Sequence, residues 1–176
     1  QKVNIKRFKK VLVANRGEIA IRVYRALNEL GIQTIGIFSK EDKYSLFRTK
    51  TDEAYMLDKE KGPIDAYLDI QEIIHIAKTK GADAIHPGYG FLSENPEFVE
   101  ACEKAGIAFI GPSKEVMYAM GDKISSKQIA IKCNVPIIPG VDHAVKSEEE
   151  VMKIAQQVGY PVMLKASNGG GGRGMR

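Results

Sequence analysis

A lysine followed closely by a run of glycines has the most evident chemistry in this sequence. Lys165 closes the apolar stretch PVML, and three residues separate it from Gly169, Gly170, Gly171, Gly172, Arg173 and Gly174. Successive glycines allow several backbone N–H groups to turn toward one anion, and the Lys165 and Arg173 cations add charge of the right sign. A Walker loop carries its lysine after the glycines, as G-x-x-x-x-G-K. Here the lysine comes first, which describes a flap over phosphates rather than a P-loop. Lys123, at the start of an expected helix, is placed to bring a second cation to the same nucleotide. The bland alternative for the glycine run is a flexible terminal linker.

The second chemically suggestive stretch is HPGYGFLSEN, residues 86–95. It leaves the C-terminal end of an expected strand, the edge at which open α/β sheets bind ligands. Gly88 and Gly90 bracket Tyr89, so the backbone can bend tightly around an exposed ring. His86 and Glu94 supply ionisable groups beside it. A purely structural reading also exists, with His86 capping the strand and Glu94 lying near a helix start.

Two other stretches are weaker. The first strand-to-helix turn, Asn15-Arg16-Gly17-Glu18, has one glycine where the dinucleotide fingerprint G-x-G-x-x-G needs three. Glu18 would also repel a pyrophosphate at the helix N-terminus, so NAD or FAD binding there is not expected. On the helix that follows, Arg22, Arg25 and Glu29 form one polar stripe, which suits either a solvated face or a charged subunit interface.

The elements that position these groups follow from hydrophobic period. The apolar run 11–14 suits a strand buried on both faces. Ile19, Val23, Ala26, Leu27 and Leu30 then recur at helical spacing, and Gly31 stands where a C-cap glycine belongs. Residues 33–38 return to strand character, completing a βαβ unit with parallel strands and a right-handed crossover. The alternation continues with strand 53–57, a helix from Asp69 with Glu72 completing a near capping box, strand 83–86, a helix capped by Asn95 and Pro96, and strand 107–110. Residues 1–112 are therefore expected to form a doubly wound, Rossmann-like α/β domain. Short helices at 114–120 and 122–133, the second capped by Asp122, and the proline-punctuated VPIIPG make a linker over 113–139. A helix capped by Ser147 and Glu150 and a strand at 161–166 open an incomplete unit, 140–176, too small to close a core by itself.

Composition bounds the function class. The 176 residues are 44% hydrophobic and 27% charged, a globular balance. The net charge of +4 comes from Lys2, Lys6, Arg7, Lys9 and Lys10; the remaining 166 residues carry 21 basic and 22 acidic groups. A basic tip on a near-neutral body, with only Phe8 interleaved, gives little support to nucleic-acid binding. No apolar run approaches a membrane span and no signal peptide opens the sequence. Cys102 and Cys133 suit neither a disulfide framework nor a zinc site, so a reduced, cytoplasmic protein without a metal set is expected.

Taken together, ANRGEIAIR (14–22), HPGYGFLSEN, GDK (121–123) and KASNGGGGRGMR (165–176) resemble the biotin carboxylase family from about Lys9 onward. FRTKTDEAYML and PIDAYLDI look most like the family's bacterial pyruvate carboxylase branch, and less like the separate biotin carboxylase component of acetyl-CoA carboxylase. The resemblance implies a Rossmann-like domain ahead of an ATP-grasp fold whose small lid opens near residue 140. It implies MgATP and bicarbonate as reactants, and biotin on a carrier domain outside this chain as acceptor. Lys123 and Lys165 match the family's ATP-contacting lysines, Gly170, Gly171, Gly172, Arg173 and Gly174 its mobile flap, and Tyr89 and Glu94 its biotin and bicarbonate pocket. Arg22, Arg25 and Glu29 match positions used at family dimer interfaces, so a homo-oligomer is implied.

By the same resemblance the adenine hinge, the acidic Mg²⁺ ligands and the catalytic lysine, glutamate and arginine follow Arg176. The 176-residue chain alone is thus expected to turn over no ATP, with residues 168–176 disordered or held from outside. The alternatives are the biotin carboxylase of an acetyl-CoA or propionyl-CoA carboxylase, another ATP-grasp ligase sharing this front domain, and a catalytically silent oligomerisation module.

Overall fold

A computed structural model describes residues 7–165 apart from 122, 139 and 142, with the backbone alone for Lys123. The readings of Asp122 as a cap and of residues 168–176 lie outside the described residues. Chain contacts divide the molecule into two compact units, Gln1–Lys114 and Glu115–Arg176.

The first unit is built on repeated strand–helix steps. Its strands are β1 (Lys10–Val13), β2 (Gln33–Phe38), β3 (Glu53–Met56), β4 (Ala84–His86) and β5 (Ala108–Phe109). They form one parallel sheet in the order β3-β2-β1-β4-β5. Helix α1 (Gly17–Glu29) links β1 to β2, α2 (Ile70–Thr79) precedes β4, and α3 (Pro96–Lys104) links β4 to β5. Short 3₁₀ turns at Lys40–Asp42, Leu46–Lys50 and Asp65–Leu68 fill the longer connections around β3.

Each α-helix of this unit stops in the same way. After α1, the Gly31 N–H bonds Asn28 O at 3.0 Å and the Ile32 N–H bonds Leu27 O at 2.9 Å, a Schellman ending. Gly31 has φ +68°, a region where a side chain would be strained. The corresponding pairs close α2 and α3. The N-termini of α2 and α3 are capped by side chains: Asn95 accepts from the Glu97 and Phe98 N–H groups at 2.8 and 3.1 Å, and Asp69 accepts from Glu72 N at 3.1 Å. The expected capping box at Asp69 is half made. The Glu72 carboxylate accepts from Asp58 N at 3.0 Å and ties down the loop before the helix.

Pleating sends alternate residues of β1 to opposite faces. Val11 and Val13 pack with Ala20, Tyr24, Leu27 and Phe47, while Leu12 and Ala14 pack with Ile35, Ile73, Ile85 and Phe98. The sheet is thus covered on both sides, as an all-parallel sheet requires. A side chain at Gly36 would enter this packing, because a Cβ there would lie 2.5 Å from Tyr24 Oη and 2.9 Å from Thr51 Cγ2.

In the second unit, α4 (Lys114–Gly121) leads in from the first, followed by α5 (Lys123–Lys132) and α6 (Glu148–Val158). Ser147 caps α6 by accepting from Glu150 N at 3.2 Å, whereas the Glu150 carboxylate accepts from Lys146 N at 2.9 Å and meets His143 Nε2 at 3.0 Å. Of the strand expected at 161–166, residues 161–164 lie in no strand, Lys165 makes a bridge, and residue 166 lies outside the described residues. Its residues have strand-like character, but a strand exists only with a ladder neighbour, and residues 161–164 have none among the described residues.

Replacing Gly36 by Ala is expected to destabilise the first unit by about 1–3 kcal/mol through overpacking. Adding Tyr24→Phe removes the nearer clash and should restore part of that loss, measured by denaturant unfolding of single and double variants.

Candidate functional site

The strand order runs outward from β1 in one direction through β2 and β3, and from β4 to β5 in the other. The crevice at the C-terminal ends of β1 and β4 is therefore a topological switch point, where open α/β sheets place ligands. In this protein it is bridged by the chain itself. Asn15, fully buried just after β1, donates from Nδ2 to Pro87 O at 2.8 Å and Tyr89 O at 3.0 Å, and its Oδ1 accepts from Arg16 N at 2.9 Å. The turn beyond β4 is thus pinned to the turn beyond β1.

Close packing accompanies these bonds. A Cβ at Gly88 would lie 2.6 Å from Asn15 Nδ2 and 2.7 Å from Ile19 Cγ2, so a side chain there would push the loop off its clamp. Gly88 also has φ +64°. Its N–H donates to His86 Nδ1 at 3.0 Å, so the structural role weighed for His86 is present. Burial lowers the His86 pKa, favouring the neutral ring that this acceptor role requires.

Next to Asn15, Arg16 enters a second network. Its guanidinium grips Asp42 with two bonds of 2.6 Å, Nε to Oδ2 and Nη2 to Oδ1. Asp42 is only 4% exposed and also accepts from Tyr67 Oη at 2.7 Å and Ser45 Oγ at 2.9 Å. Tyr67 Oη in turn accepts from Ser39 N at 3.1 Å. The Arg16 bonds, helped by Tyr67 and Ser45, hold the Asp42 carboxyl down from 3.8 to about 2 against the opposing effect of burial. Burial, with the Asp42 bond, raises the Tyr67 phenol. Sequence reasoning missed this network. In SKEDKYSLF, Asp42 looks like a solvated turn residue, and Tyr67 in DAYL carries no local sign of its partner.

The expected site residues divide into groups. Tyr89, 66% exposed, and Glu94, exposed, sit on the loop that Asn15 anchors. Lys165 is exposed in the second unit, Lys123 begins α5, and the glycines 170–172 and 174 with Arg173 lie outside the described residues. An exposed ammonium at Lys165 suits a phosphate. Among the described residues no group of three or more His, Cys, Asp or Glu is placed to hold a metal.

Arg22, Arg25 and Glu29 are all exposed on α1. Arg22 Nε bonds Glu18 Oε1 at 2.5 Å and Arg25 Nε bonds Glu29 Oε1 at 3.1 Å, both one helical turn apart. A shallow depression of about 430 Å³ lies beside them, lined by Ile21, Tyr24, Arg25, Asn28, Glu29 and Lys50.

The Asp42 carboxyl is more acidic folded than unfolded, so its contribution to stability is full above pH 4 and fades as pH falls toward 2. Asp42→Asn should cost about 1–3 kcal/mol at neutral pH. The deficit relative to the parent protein should shrink between pH 4 and 2, read from denaturant unfolding at a series of pH values.

Residues 7–117 match the family model "Biotin carboxylase, N-terminal domain", and residues 122–176 match "Carbamoyl-phosphate synthase L chain, ATP binding domain". Pyruvate carboxylase of Bacillus subtilis is 56% identical over 167 residues, which are 95% of this chain and 14% of that protein. Pyruvate carboxylase of Staphylococcus aureus is 52% identical over 172 residues, 98% of this chain and 15% of that protein. The biotin carboxylase domain dimer of Hydrogenobacter thermophilus 2-oxoglutarate carboxylase, solved with MgADP, ADP and bicarbonate, superposes with a TM-score of 0.90 at 52% identity. That match covers 98% of this chain and 38% of the solved one. The chain spans well under half the length of each of these relatives. With its parallel sheet and the match over residues 7–117, the chain belongs to the biotin carboxylase family.

Proposed function

We propose that this chain supplies the front domain and the opening of the nucleotide-binding lid of the biotin carboxylase component of a pyruvate carboxylase. In this reading residues 1–112 are the front domain, 113–139 the linker and 140–176 the start of the small ATP-grasp subdomain. The reaction is the ATP-dependent carboxylation of biotin by bicarbonate through carboxyphosphate, followed by transfer of the carboxyl group to pyruvate elsewhere in the enzyme. The observation that carries it is the loop held by Asn15, which presents Tyr89 and Glu94 at the C-terminal edge of the sheet. Pyruvate as final acceptor is supported by the names of the Bacillus and Staphylococcus relatives, 56% and 52% identical to this chain.

The roles assigned to this chain's residues follow from charge and position. Lys165 and Lys123 neutralise the triphosphate as negative charge shifts in phosphoryl transfer, and the glycines from 170 to 174 close over it through backbone N–H groups. Mg²⁺ would neutralise the phosphates further. Closing the flap excludes water from carboxyphosphate, which hydrolyses readily. Tyr89 and Glu94 border the pocket where biotin and bicarbonate meet. Arg22, Arg25 and Glu29 form part of a dimer contact, supported by the dimeric state of the Hydrogenobacter domain. The biotin carrier domain is the other partner. A cytoplasmic setting is supported by two unpaired cysteines, Cys102 buried and Cys133 exposed. No helix among the described residues is long and apolar enough to cross a membrane.

In the carboxylase that carries this sequence, Lys165→Ala is expected to raise KM for MgATP about 10- to 100-fold, the worth of one charge-assisted hydrogen bond. Bicarbonate-dependent ADP formation with free biotin measures it. An unchanged KM would remove Lys165 from the nucleotide site, and an absence of bicarbonate-dependent ADP formation in the parent enzyme would contradict the proposed reaction.

A further inference from the structure

The loop carrying Tyr89 and Glu94 contains a backbone conformation that its own sequence does not favour. Phe91 has φ +43°, in the left-handed region that a bulky residue rarely enters. It stays there because its ring stacks on Tyr67, with centroids 5.1 Å apart and planes inclined by 22°. Tyr67 is completely buried, and its hydroxyl is fixed between Ser39 N and Asp42, the carboxylate that Arg16 grips. A continuous line of contacts therefore runs Arg16–Asp42–Tyr67–Phe91, from the start of α1 to the middle of the loop. Asn15 holds the first half of that loop through the Pro87 and Tyr89 carbonyls. The second half has local turns, Ser93 N to Gly90 O at 2.9 Å and Asn95 N to Leu92 O at 3.1 Å, and the first of them contains the strained residue.

We infer that Asp42 and Tyr67 are positioning residues for the acceptor pocket: by orienting the Tyr67 ring they hold Phe91 in its left-handed conformation and so set the places of Tyr89 and Glu94. This inference rests on the proposed role of Tyr89 and Glu94. Asp42 and Tyr67 are both buried, so they act on the pocket through the loop. Their effect is geometric, and small misplacements of pocket-forming groups weaken binding of the group that occupies the pocket. The nucleotide, bound by the lysines and glycines of the second unit, does not depend on the line.

Tyr67→Phe is the variant of choice, since it keeps the stacked ring and removes only the hydroxyl that orients it. In the complete carboxylase it is expected to raise KM for free biotin about 3- to 10-fold and leave KM for MgATP unchanged. Asp42→Asn should act in the same direction. Amide exchange at Ser93 and Asn95 should quicken in Tyr67→Phe, whether or not substrates are present, while Ile73→Val, which removes one methyl from the same core and leaves the Tyr67 hydroxyl in place, should leave both readouts at parent values. A Tyr67→Phe enzyme with parental biotin KM and parental exchange at Ser93 and Asn95 overturns the inference, as does a uniform change in every kinetic constant matched by Ile73→Val. If exchange quickens and biotin KM stays parental, Tyr67 holds the loop but the loop does not set the acceptor pocket, and the inference is again overturned. Lack of bicarbonate-dependent ADP formation in the parent enzyme is a different result, one that strikes the proposed reaction itself.

Discussion

Two hydrogen bonds from one buried amide hold the ligand edge of this protein together. Asn15 Nδ2 meets the carbonyls of Pro87 and Tyr89 at the point where the strand order reverses. A parallel sheet leaves a crevice there, because the loops after the two central strands leave in opposite directions. Many folds of this kind fill the crevice with a nucleotide. Here a short polar side chain fills it, and the outcome is a fixed loop instead of an open dinucleotide site. The choice of Asn has a simple reason. Its amide satisfies two buried carbonyl oxygens as donor while its oxygen takes the Arg16 N–H, so the clamp leaves little polar capacity unpaired.

Around that clamp, charge and stacking do different jobs. The Arg16–Asp42 pair is bidentate and shielded on the carboxylate side, which keeps Asp42 ionised despite its burial. It also joins the start of α1 to the turn after β2, over a sequence separation of 26 residues. Tyr67 then converts this polar anchor into an apolar one, passing orientation to Phe91 through ring contact. The loop is consequently held at its start by Asn15 and at its middle by Tyr67, groups distant in sequence, whereas the Tyr89 side chain is left to face solvent. A rigid frame with an exposed tip is the arrangement expected of a loop that meets a ligand on a scaffold.

Much of the frame was legible in the residues because the signals are local. Buried parallel strands read as apolar runs such as VLV and IGIF, and the glycine at 31 marks a helix end that the structure closes with paired backbone bonds. Asn95 could be read as a cap for the same reason. The long-range partners of Asn15, Asp42 and Tyr67 could not be read this way, since local sequence does not bring them near and nothing beside Asp42 distinguishes it from a solvated acid. The strand expected at 161–166 shows the same limit from the other side: residue types favour extension, but pairing is supplied by neighbours that local sequence does not contain. At Glu72 and Glu150 the box motif correctly located the helix start, yet each carboxylate bonds a loop amide ahead of the helix rather than the cap residue's own N–H.

The clamp itself is tested most directly by amide exchange at Gly88 in an Asn15→Asp variant at neutral pH. The carboxylate keeps the size of the side chain and its acceptor for Arg16 N, but cannot donate to Pro87 O or Tyr89 O. Gly88 exchange should quicken by at least about tenfold, the equivalent of roughly 1.4 kcal/mol of lost protection, while the amides of β1 and β2 keep their parental rates. Parental exchange at Gly88 in a folded Asn15→Asp protein would contradict the account, since the loop would then hold its shape without the bonds on which its position has been made to depend.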